Sequence, residues 1–227
     1  AAPREASSYS WYVLAVLVVV YILNFIDRQI ISILALEIKA DLNLTDSDMG
    51  FLGGAAFAVF YALFGIPLGR LADNWSRVKL LSIGLALWST MTALSGFARN
   101  QMTLTLARMG VGIGEAGFTP PVVSMIADRF APEKRATVFS LIAVGVSLGG
   151  AIGALGGGWI AQNHGWRLAF LVMGAPGLLL ALLLIVARIS PIFICVFKSC
   201  IFGQFNTSSI DVLWCSNANL QSFFLNV

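Results

Sequence analysis

The sequence predicts an all-α, multi-pass membrane protein with six transmembrane helices, arranged as two inverted repeats of three. Its 227 residues are 58% hydrophobic and only 11% charged, and the mean hydropathy is +0.86. Soluble domains carry about 25% charged residues, so these values exclude a water-soluble globule. Lipid offers no hydrogen-bond partner to an open strand edge, so each apolar run is expected to be a helix. Six runs approach or exceed the roughly 20 residues that span a bilayer, and they cover 11–36, 49–71, 78–97, 102–126, 137–162 and 168–187.

A short sequence pattern that occurs twice supports the division of the six spans into three and three. The segment 69–76, at the end of the second span, shares the pattern Gly-x-x-Ala-(Asp or Gln)-Asn-x-(small) with the segment 158–165, at the end of the fifth. The two segments are predicted to lie on opposite sides of the membrane. Inverted three-helix repeats are typical of transporters, whose sites lie at the repeat interface near the midplane. Because so short a pattern can recur by chance, it is supporting evidence only.

The distribution of basic residues predicts that both ends of the six-span unit lie in the cytoplasm, since cytoplasmic loops carry the excess of Lys and Arg. The sequence does not indicate which membrane holds the protein. The cations are split among short loops rather than gathered on one face, which argues against nucleic-acid binding. The predicted cytoplasmic segments hold Arg4, Arg70, Arg77, Lys79, Arg129, Lys134, Arg135 and Arg188, and the predicted outer loops hold Lys39, Arg99 and Arg167.

Four ionisable residues interrupt the apolar spans: Asp27 and Arg28 in the first, and Arg108 and Glu115 in the fourth. A charge near the bilayer midplane costs roughly 2.5–3.5 kcal/mol on insertion scales, so such residues usually face the protein interior and mark a substrate or ion pathway. Arg108 and Glu115 are seven residues apart, close to two helical turns, so both project to one face. Neighbouring helical residues point about 100° apart, so Asp27 and Arg28 cannot both face one cavity squarely.

We expect Glu115 and Asp27 to carry a coupled proton. Burial and a nearby cation act in opposite directions on the proton affinity of a carboxyl group, which can leave the group able to titrate near neutral pH. Arg108 is expected to hold an anionic head group or to restrain Glu115, with Arg28 assisting. The alternative is that the four residues form a fixed, buried ion cluster that only joins the first and fourth helices.

Glycine recurs every four residues along the fifth span, and such small-residue stripes let another helix approach closely. The stripe consists of Gly145, Gly149, Gly153 and Gly157. We expect it either to pack inside the six-helix unit or, given its length, to form a large partner surface. On the second interpretation the glycine face of a lone bundle would lie against lipid.

Pro120 and Pro121 are expected to break the helical ladder of the fourth span one turn after Glu115. Neither proline can donate a backbone hydrogen bond, and each clashes with the preceding turn. A kink at this position would open backbone carbonyls towards a cavity.

The segment 69–79 resembles the loop motif between the second and third helices of the major facilitator superfamily, Gly-x-x-x-Asp-(basic)-x-Gly-x-(basic)-(basic). Gly69 and Asp73 match the motif, positions 74 and 76 depart from it, and the basic pair is shifted to Arg77 and Lys79. The resemblance implies that these four residues form a cytoplasmic gate, in which Asp73 meets a helix N-terminus of a second half. The alternative is a solvated loop that follows the positive-inside rule.

Further runs resemble the spinster-like branch of this superfamily, which comprises lipid and sphingolipid transporters and their bacterial relatives. The resemblance covers about residues 10–188 and implies the N-terminal half of a carrier that moves a lipid-like solute by alternating access. The branch's first-helix Asp and fourth-helix Glu imply proton-coupling roles for Asp27 and Glu115. The runs are 24–28, 61–63, 71–73, 112–116, 126–128 and 165–170, and Arg108-x-x-x-Gly112 resembles the superfamily's second motif.

Composition divides the chain into a cytoplasmic segment 1–10, a six-helix bundle 11–188 and an atypical tail 189–227. All three cysteines, Cys195, Cys200 and Cys215, lie in the tail. Their spacing matches no metal site, and a cytoplasmic disulfide is not expected. We expect the tail to be disordered or to derive from read-through into an intron or another frame; the alternative is a genuine but divergent tail.

Together these features predict a transporter and not an enzyme, because the sequence contains no Walker loop, zinc-binding spacing or catalytic triad. No cofactor or metal is expected. The expected partners are the lipid bilayer, a small organic or lipid-like solute, protons, and a second transporter half or second copy, without which we expect no transport. The alternatives are a half-transporter that must associate with a partner, a non-transporting truncated isoform, and a gene-model artefact. His164 is expected to be a surface turn residue.

Overall fold

The chain folds into a bundle of α-helices in a computed structural model that describes residues 8–189. The atypical tail, with its three cysteines, lies outside the described residues. We number the helices α1 to α10 and note two single π-helical turns. They are α1 (Ser8–Ile33), α2 (Ala35–Leu42), α3 (Asp46–Gly50), a π turn (Phe51–Ala55), α4 (Ala56–Asn74), α5 (Arg77–Ser95), α6 (Gln101–Ala116), α7 (Thr119–Arg129), α8 (Pro132–Ile152), a π turn (Gly153–Gly157), α9 (Gly158–His164) and α10 (Trp166–Ile189).

Five of the predicted spans are long and apolar enough to cross a membrane as continuous helical segments. The first span is α1, the second runs from α3 through α4, the third is α5, the fifth runs from α8 through α9, and the sixth is α10. Among the described residues these segments cover Ser10–Ile33, Asp46–Asn74, Arg77–Ser95, Pro132–His164 and Trp166–Ile185.

The fourth span is divided into two shorter helices, α6 and α7. An Asn100–Thr103 capping box begins α6, and Gly117 ends it, while Phe118 precedes α7. Pro120 and Pro121 then fall at the start of a new helix, where a missing N–H costs little because the first turn has no intrahelical acceptor. The expected kink is therefore a complete break, placed just after Glu115.

The pairing of the spans fits an inverted repeat of three plus three. The first span packs on the fifth, the second on the fourth, and the third on the sixth; the third also packs on the fourth and the first on the sixth. In such a repeat the first span corresponds to the fourth, the second to the fifth and the third to the sixth. Under this correspondence the first–fifth pair becomes the second–fourth pair, and the third–sixth pair is unchanged. Three-helix repeats of this kind are found in transporters, with sites at the repeat interface.

The fifth-span glycine stripe lies against the first span. A Cβ added at Gly149 would be 2.5 Å from the carbonyl oxygen of Ile22, and one at Gly145 would be 3.0 Å from a methyl group of Val18. Gly153 is likewise 3.4 Å from the backbone of Ile26 by the same measure. The expectation that this face of a lone bundle points to lipid is wrong, because the first helix already covers it.

At the predicted outer end, hydrogen bonds join α2, the segment after α5 and the start of α10. The Asp41 carboxylate accepts hydrogen bonds from the indole of Trp166 at 3.2 Å and from the guanidinium of Arg167 at 2.6 Å. Arg167 also donates to the carbonyl oxygen of Ala98 at 3.1 Å, and its guanidinium carbon lies 4.4 Å from the Trp166 ring centroid. One arginine thus connects α2, the end of the third span and the start of the sixth.

Replacing Arg167 with alanine is expected to loosen this end by about 1–2 kcal/mol, because two partly exposed hydrogen bonds are lost and each contributes roughly 0.5–1.5 kcal/mol. Hydrogen–deuterium exchange should become faster over residues 35–42 and 96–100. Arg99→Ala, which removes another exposed arginine of the same end, is the control. Unchanged exchange in Arg167→Ala would mean that the three segments are held by other contacts.

Candidate functional site

The four intramembrane charged residues lie in the middle of the bundle, between two apolar cores. Asp27 lies between Val20 of one core and Ile30 of the other, and Arg108 lies just beyond Leu104 of the second core. Asp27, Arg108 and Glu115 are 2%, 3% and 1% exposed. Such burial within the membrane-spanning region is costly for charges unless they are paired or functional.

Arg28 and Glu115 form an ion pair between the first and fourth spans. The Nε of Arg28 donates to Oε2 of Glu115 at 2.7 Å. The carboxylate is fully enclosed, whereas the Arg28 side chain is 35% exposed, so the cation is the partner that reaches the surface of the site. Arginine has five N–H donors in a fixed fork, so Arg28 can bond a further group beside Glu115 and Tyr61.

Aromatic rings surround the Arg28 guanidinium. Its carbon lies 5.7 Å from the ring centroid of Phe25, 5.0 Å from that of Phe57 and 5.2 Å from that of Tyr61. Phe57 and Tyr61 are one turn apart on α4 and stack on each other with centroids 5.5 Å apart. Cation–π contacts of this range hold a cation in position without neutralising it.

Arg108 lines the same cavity as Arg28 and Glu115 but does not take part in their ion pair. Its Nη1 donates to the backbone oxygen of Asp27 at 3.3 Å, and its guanidinium carbon lies 5.2 Å from the Phe170 ring centroid. Its Nε and Nη2 atoms are buried without a hydrogen-bond partner among the described residues. Arg108 was expected either to hold an anionic group or to restrain Glu115. Arg28, not Arg108, makes the direct bond to Glu115, and two Arg108 nitrogens have no hydrogen-bond partner among the residues that the structure describes.

Asp27 does not line the cavity that Arg28 reaches, as the 100° angle between neighbouring residues predicts. Its Oδ1 atom is buried and makes no hydrogen bond within the described part of the chain. The indole of Trp88 and the hydroxyl of Thr92, both on the third span, lie near this carboxylate. The third span therefore supplies polar groups to the site, which the sequence analysis did not foresee.

A cavity of about 190 Å³ adjoins the ion pair. Ligand pockets for drug-sized molecules measure about 300–1,000 Å³, so this one encloses only part of such a solute. The π turn at the start of the second span contributes two of its lining residues. The lining consists of Arg28, Ile31, Leu52, Gly53, Phe57, Arg108 and Glu115.

The predicted gate residues lie together around the connection between α4 and α5. A Cβ at Gly69 would be 3.9 Å from Pro120, and Asp73 and Lys79 are exposed. Arg77 forms an ion pair with Asp128 at the end of α7. This partner was not predicted, although Asp128 belongs to one of the runs that carry the family resemblance.

Tyr61 was given no role from the sequence, although it begins one of the runs that carry the family resemblance, and Thr119 was missed; their hydroxyls lie 3.5 Å apart. The spacing of Phe57 and Tyr61 on one helical face was the available signal, but aromatic residues at this spacing are common in any apolar span. His164 lies in an exposed position against Trp159, with ring centroids 5.9 Å apart. Within residues 8–189, no group of three His, Cys, Asp or Glu side chains could hold a metal ion.

The sequence of this chain is similar to a family model and to known transport proteins. A family model described as Major Facilitator Superfamily matches residues 17–192. An MFS-type efflux pump of Mycolicibacterium smegmatis is 39% identical over 180 residues, which are 79% of this chain and 42% of that protein. Protein spinster homolog 1 of Xenopus tropicalis is 31% identical over 189 residues, 81% of this chain and 36% of that protein.

A solved structure shares the same fold. It is a bacterial homologue of the human lysosomal transporter Spinster in an inward-facing, unoccupied conformation, with a TM-score of 0.72 and 38% sequence identity. The match covers 80% of this chain and 43% of that one. The chain thus spans less than half the length of the relatives that it matches.

Proposed function

The chain belongs to the Major Facilitator Superfamily, and we propose that it forms the N-terminal half of a proton-coupled carrier for an organic, lipid-like solute. As a member of this family it is an integral, multi-pass membrane protein of a transporter class and not an enzyme. The solute, the coupling to protons and the second half are parts of the proposal.

One observation carries the proposal: a paired Arg28–Glu115 and an unpaired Arg108 share a cavity at mid-depth in the bundle. An isolated buried charge costs several kcal/mol, so unused guanidinium donors are expected to serve a ligand. Arg108, with its free Nε and Nη2 atoms, and the partly exposed Arg28 would hold the anionic group of the solute. Glu115 would exchange its proton as the contact with Arg28 is made and released.

Asp27 is the second proton carrier in this proposal. It lies behind the cavity, next to the Arg108 hydrogen bond to its own backbone carbonyl. A change of protonation at Asp27 would therefore act on Arg108 through their mutual charge interaction rather than by contact with the solute.

Alternating access requires a gate, and we assign the cytoplasmic gate to Gly69, Asp73, Arg77 and Lys79. The Arg77–Asp128 pair ties the α4–α5 connection to the end of the fourth span. A shift of the fourth span on solute binding would then be transmitted to the gate. The proposal places the N-terminus in the cytoplasm, following the excess of basic residues in the predicted cytoplasmic segments over the outer loops.

The cavity volume supports the need for a second half. About 190 Å³ encloses only part of an organic solute, and the second span exposes Val59, Leu63 and Ile66. The second candidate is a half-transporter that associates with a separate partner or a second copy. It rests on the same exposed face, and co-purification of a partner would favour it.

A binding measurement with Arg108→Met tests the proposed function. Methionine removes the charge and keeps most of the apolar stem, so the affinity for an anionic solute should fall roughly 10–150-fold, as expected for a loss of about 1.5–3 kcal/mol from a charged hydrogen bond. Dodecyl phosphate is a suitable probe, measured by calorimetry with the protein in lipid nanodiscs. Arg99→Met, at an exposed loop position, is the control; equal affinity in both variants would refute the role of Arg108.

A further inference from the structure

The proposed function gives no role to two hydroxyl groups near Arg28, those of Tyr61 and Thr119. Tyr61 lies on the second span and is half-buried, and Thr119 is exposed at the start of α7. The Oη atom of Tyr61 and the Oγ1 atom of Thr119 are 3.5 Å apart, and either could donate. This separation is at the outer limit of a hydrogen bond. Tyr61 also interacts with Arg28, and Thr119 with Tyr21, so each hydroxyl keeps part of the one donor and two acceptor sites that a hydroxyl offers.

The break in the fourth span is the reason that Thr119 can present its hydroxyl here. Gly117 and Phe118 separate α6 from α7, and Thr119 begins the second helix. The next two residues, Pro120 and Pro121, have no N–H. The start of this helix therefore offers fewer backbone donors to a solute than an ordinary helix N-terminus, and the Thr119 hydroxyl adds a side-chain donor there.

The position of the Tyr61 hydroxyl is fixed relative to the cation. The Tyr61 ring stacks on Phe57, and the Arg28 guanidinium lies over both rings at 5.0 and 5.2 Å. Arg28 is in turn anchored by Glu115 at 2.7 Å. Rigid neighbours of this kind make a hydrogen-bonding site selective, because a group already held in place loses little freedom on binding.

A third hydroxyl reinforces the pair. Tyr21 on the first span lies near both Thr119 and Tyr61, and its ring packs edge-on against Phe118 at 4.7 Å between centroids. Hydroxyls from the first, second and fourth spans thus meet beside one guanidinium. Each hydroxyl provides one donor and two acceptor lone pairs, so the group can bind a solute oxygen from several sides.

We propose that Tyr61 and Thr119 form a hydroxyl subsite that selects organic anions carrying a hydroxyl group close to their charged group. The anionic group would sit on Arg28 and Arg108, and the neighbouring hydroxyl would bridge Tyr61 and Thr119. The inference rests on the proposed function, since it takes the arginines as the anion site. A hydroxylated lipid head group and a free hydroxy acid share this chemistry.

Two pairs of probes, matched in charge, test the subsite in the wild-type chain in nanodiscs. The first pair is gluconate and hexanoate, and the second is a 1-acylglycerol 3-phosphate and dodecyl phosphate; only the first member of each carries hydroxyls. Because a site built to bond a hydroxyl disfavours the analogue that lacks it, we expect at least a roughly tenfold preference in one pair. That pair identifies a free acid or a lipid as the source.

Tyr61→Phe and Thr119→Val are the decisive variants. Phenylalanine keeps the ring over Arg28 and removes only the hydroxyl, so the preference should fall roughly fivefold while the affinity for the hydroxyl-free probe stays unchanged. The double variant should show no preference. Thr90→Val is the control, since the Thr90 hydroxyl bonds to the backbone of its own helix at Ala86.

Each outcome decides between the two proposals. A preference that disappears in Tyr61→Phe and Thr119→Val, but persists in Thr90→Val, supports the subsite. Wild-type binding without a preference, or a preference that survives the double variant, overturns the subsite and leaves the proposed anion carrier intact. A wild-type chain that binds none of the four probes overturns both.

Discussion

Replacing Glu115 with glutamine is expected to abolish the accumulation of solute that a pH gradient drives. In the proposed mechanism the Glu115 carboxyl takes up the coupled proton when it separates from Arg28, which it contacts at 2.7 Å. Glutamine has nearly the same shape but does not titrate in this range. One pH unit corresponds to about 1.4 kcal/mol, so one coupled proton supports about tenfold accumulation, which should fall to about onefold.

The measurement is solute uptake into proteoliposomes under an imposed gradient of one pH unit, with this chain joined to a second half. Exchange of labelled for unlabelled solute, which needs no net proton movement, should continue. Glu133→Gln, an identical substitution at the exposed start of α8, should behave like the wild type. If Glu115→Gln lowers only the thermal stability and retains accumulation, the four charges form a fixed cluster that joins two helices.

Gly149→Ala and Gly150→Ala should change the stability in opposite directions. A methyl group at Gly149 would meet the Ile22 carbonyl at 2.5 Å and the Phe25 side chain at 3.0 Å, whereas one at Gly150 would meet nothing within 4 Å. Overpacking costs about 1–3 kcal/mol. Replacing an unhindered helical glycine with alanine instead stabilises by roughly 0.5–1 kcal/mol.

Thermal unfolding in detergent separates these effects. At about 2–4 °C per kcal/mol for a chain of this size, and with the same helix-propensity gain in both variants, Gly149→Ala should lower Tm by up to roughly 10 °C and Gly150→Ala should raise it by roughly 1–4 °C. The two residues are neighbours on one helix, so differences in helix propensity cancel in the comparison. Equal shifts in both variants would contradict the close packing of the first and fifth spans.

Among the described residues, hydropathy alone predicted five of the six spans to within five residues at each end. Apolar runs of sufficient length have few alternatives in lipid, and the rarity of charge within them drew attention to Asp27, Arg28, Arg108 and Glu115. The outcome for the fourth span shows the limit of this reasoning. Pro120 and Pro121 signalled a kink, but a kink and a full break have the same sequence signal.

The sequence pattern could not predict which spans contact each other. By spacing along one helix Arg108 is a possible partner of Glu115, and only the three-dimensional arrangement of the helices determines that Arg28 makes the bond instead. The glycine stripe likewise indicated that some helix approaches closely, but not that the first span does. The hydroxyl pair of Tyr61 and Thr119 comes from two residues 58 positions apart, which carry no joint signal.

The separation of Arg28 and Glu115 along the chain has a consequence for biosynthesis. The two partners are 87 residues apart, and ribosomes add about 5–20 residues per second. The first span therefore emerges roughly 4–17 s before the carboxylate that pairs with its arginine, and its glycine-lined partner, the fifth span, comes later still. During this interval an unpaired charge must stay at the insertion machinery or the membrane surface, so we expect slowed or premature release of the first span to be the main route to misassembly.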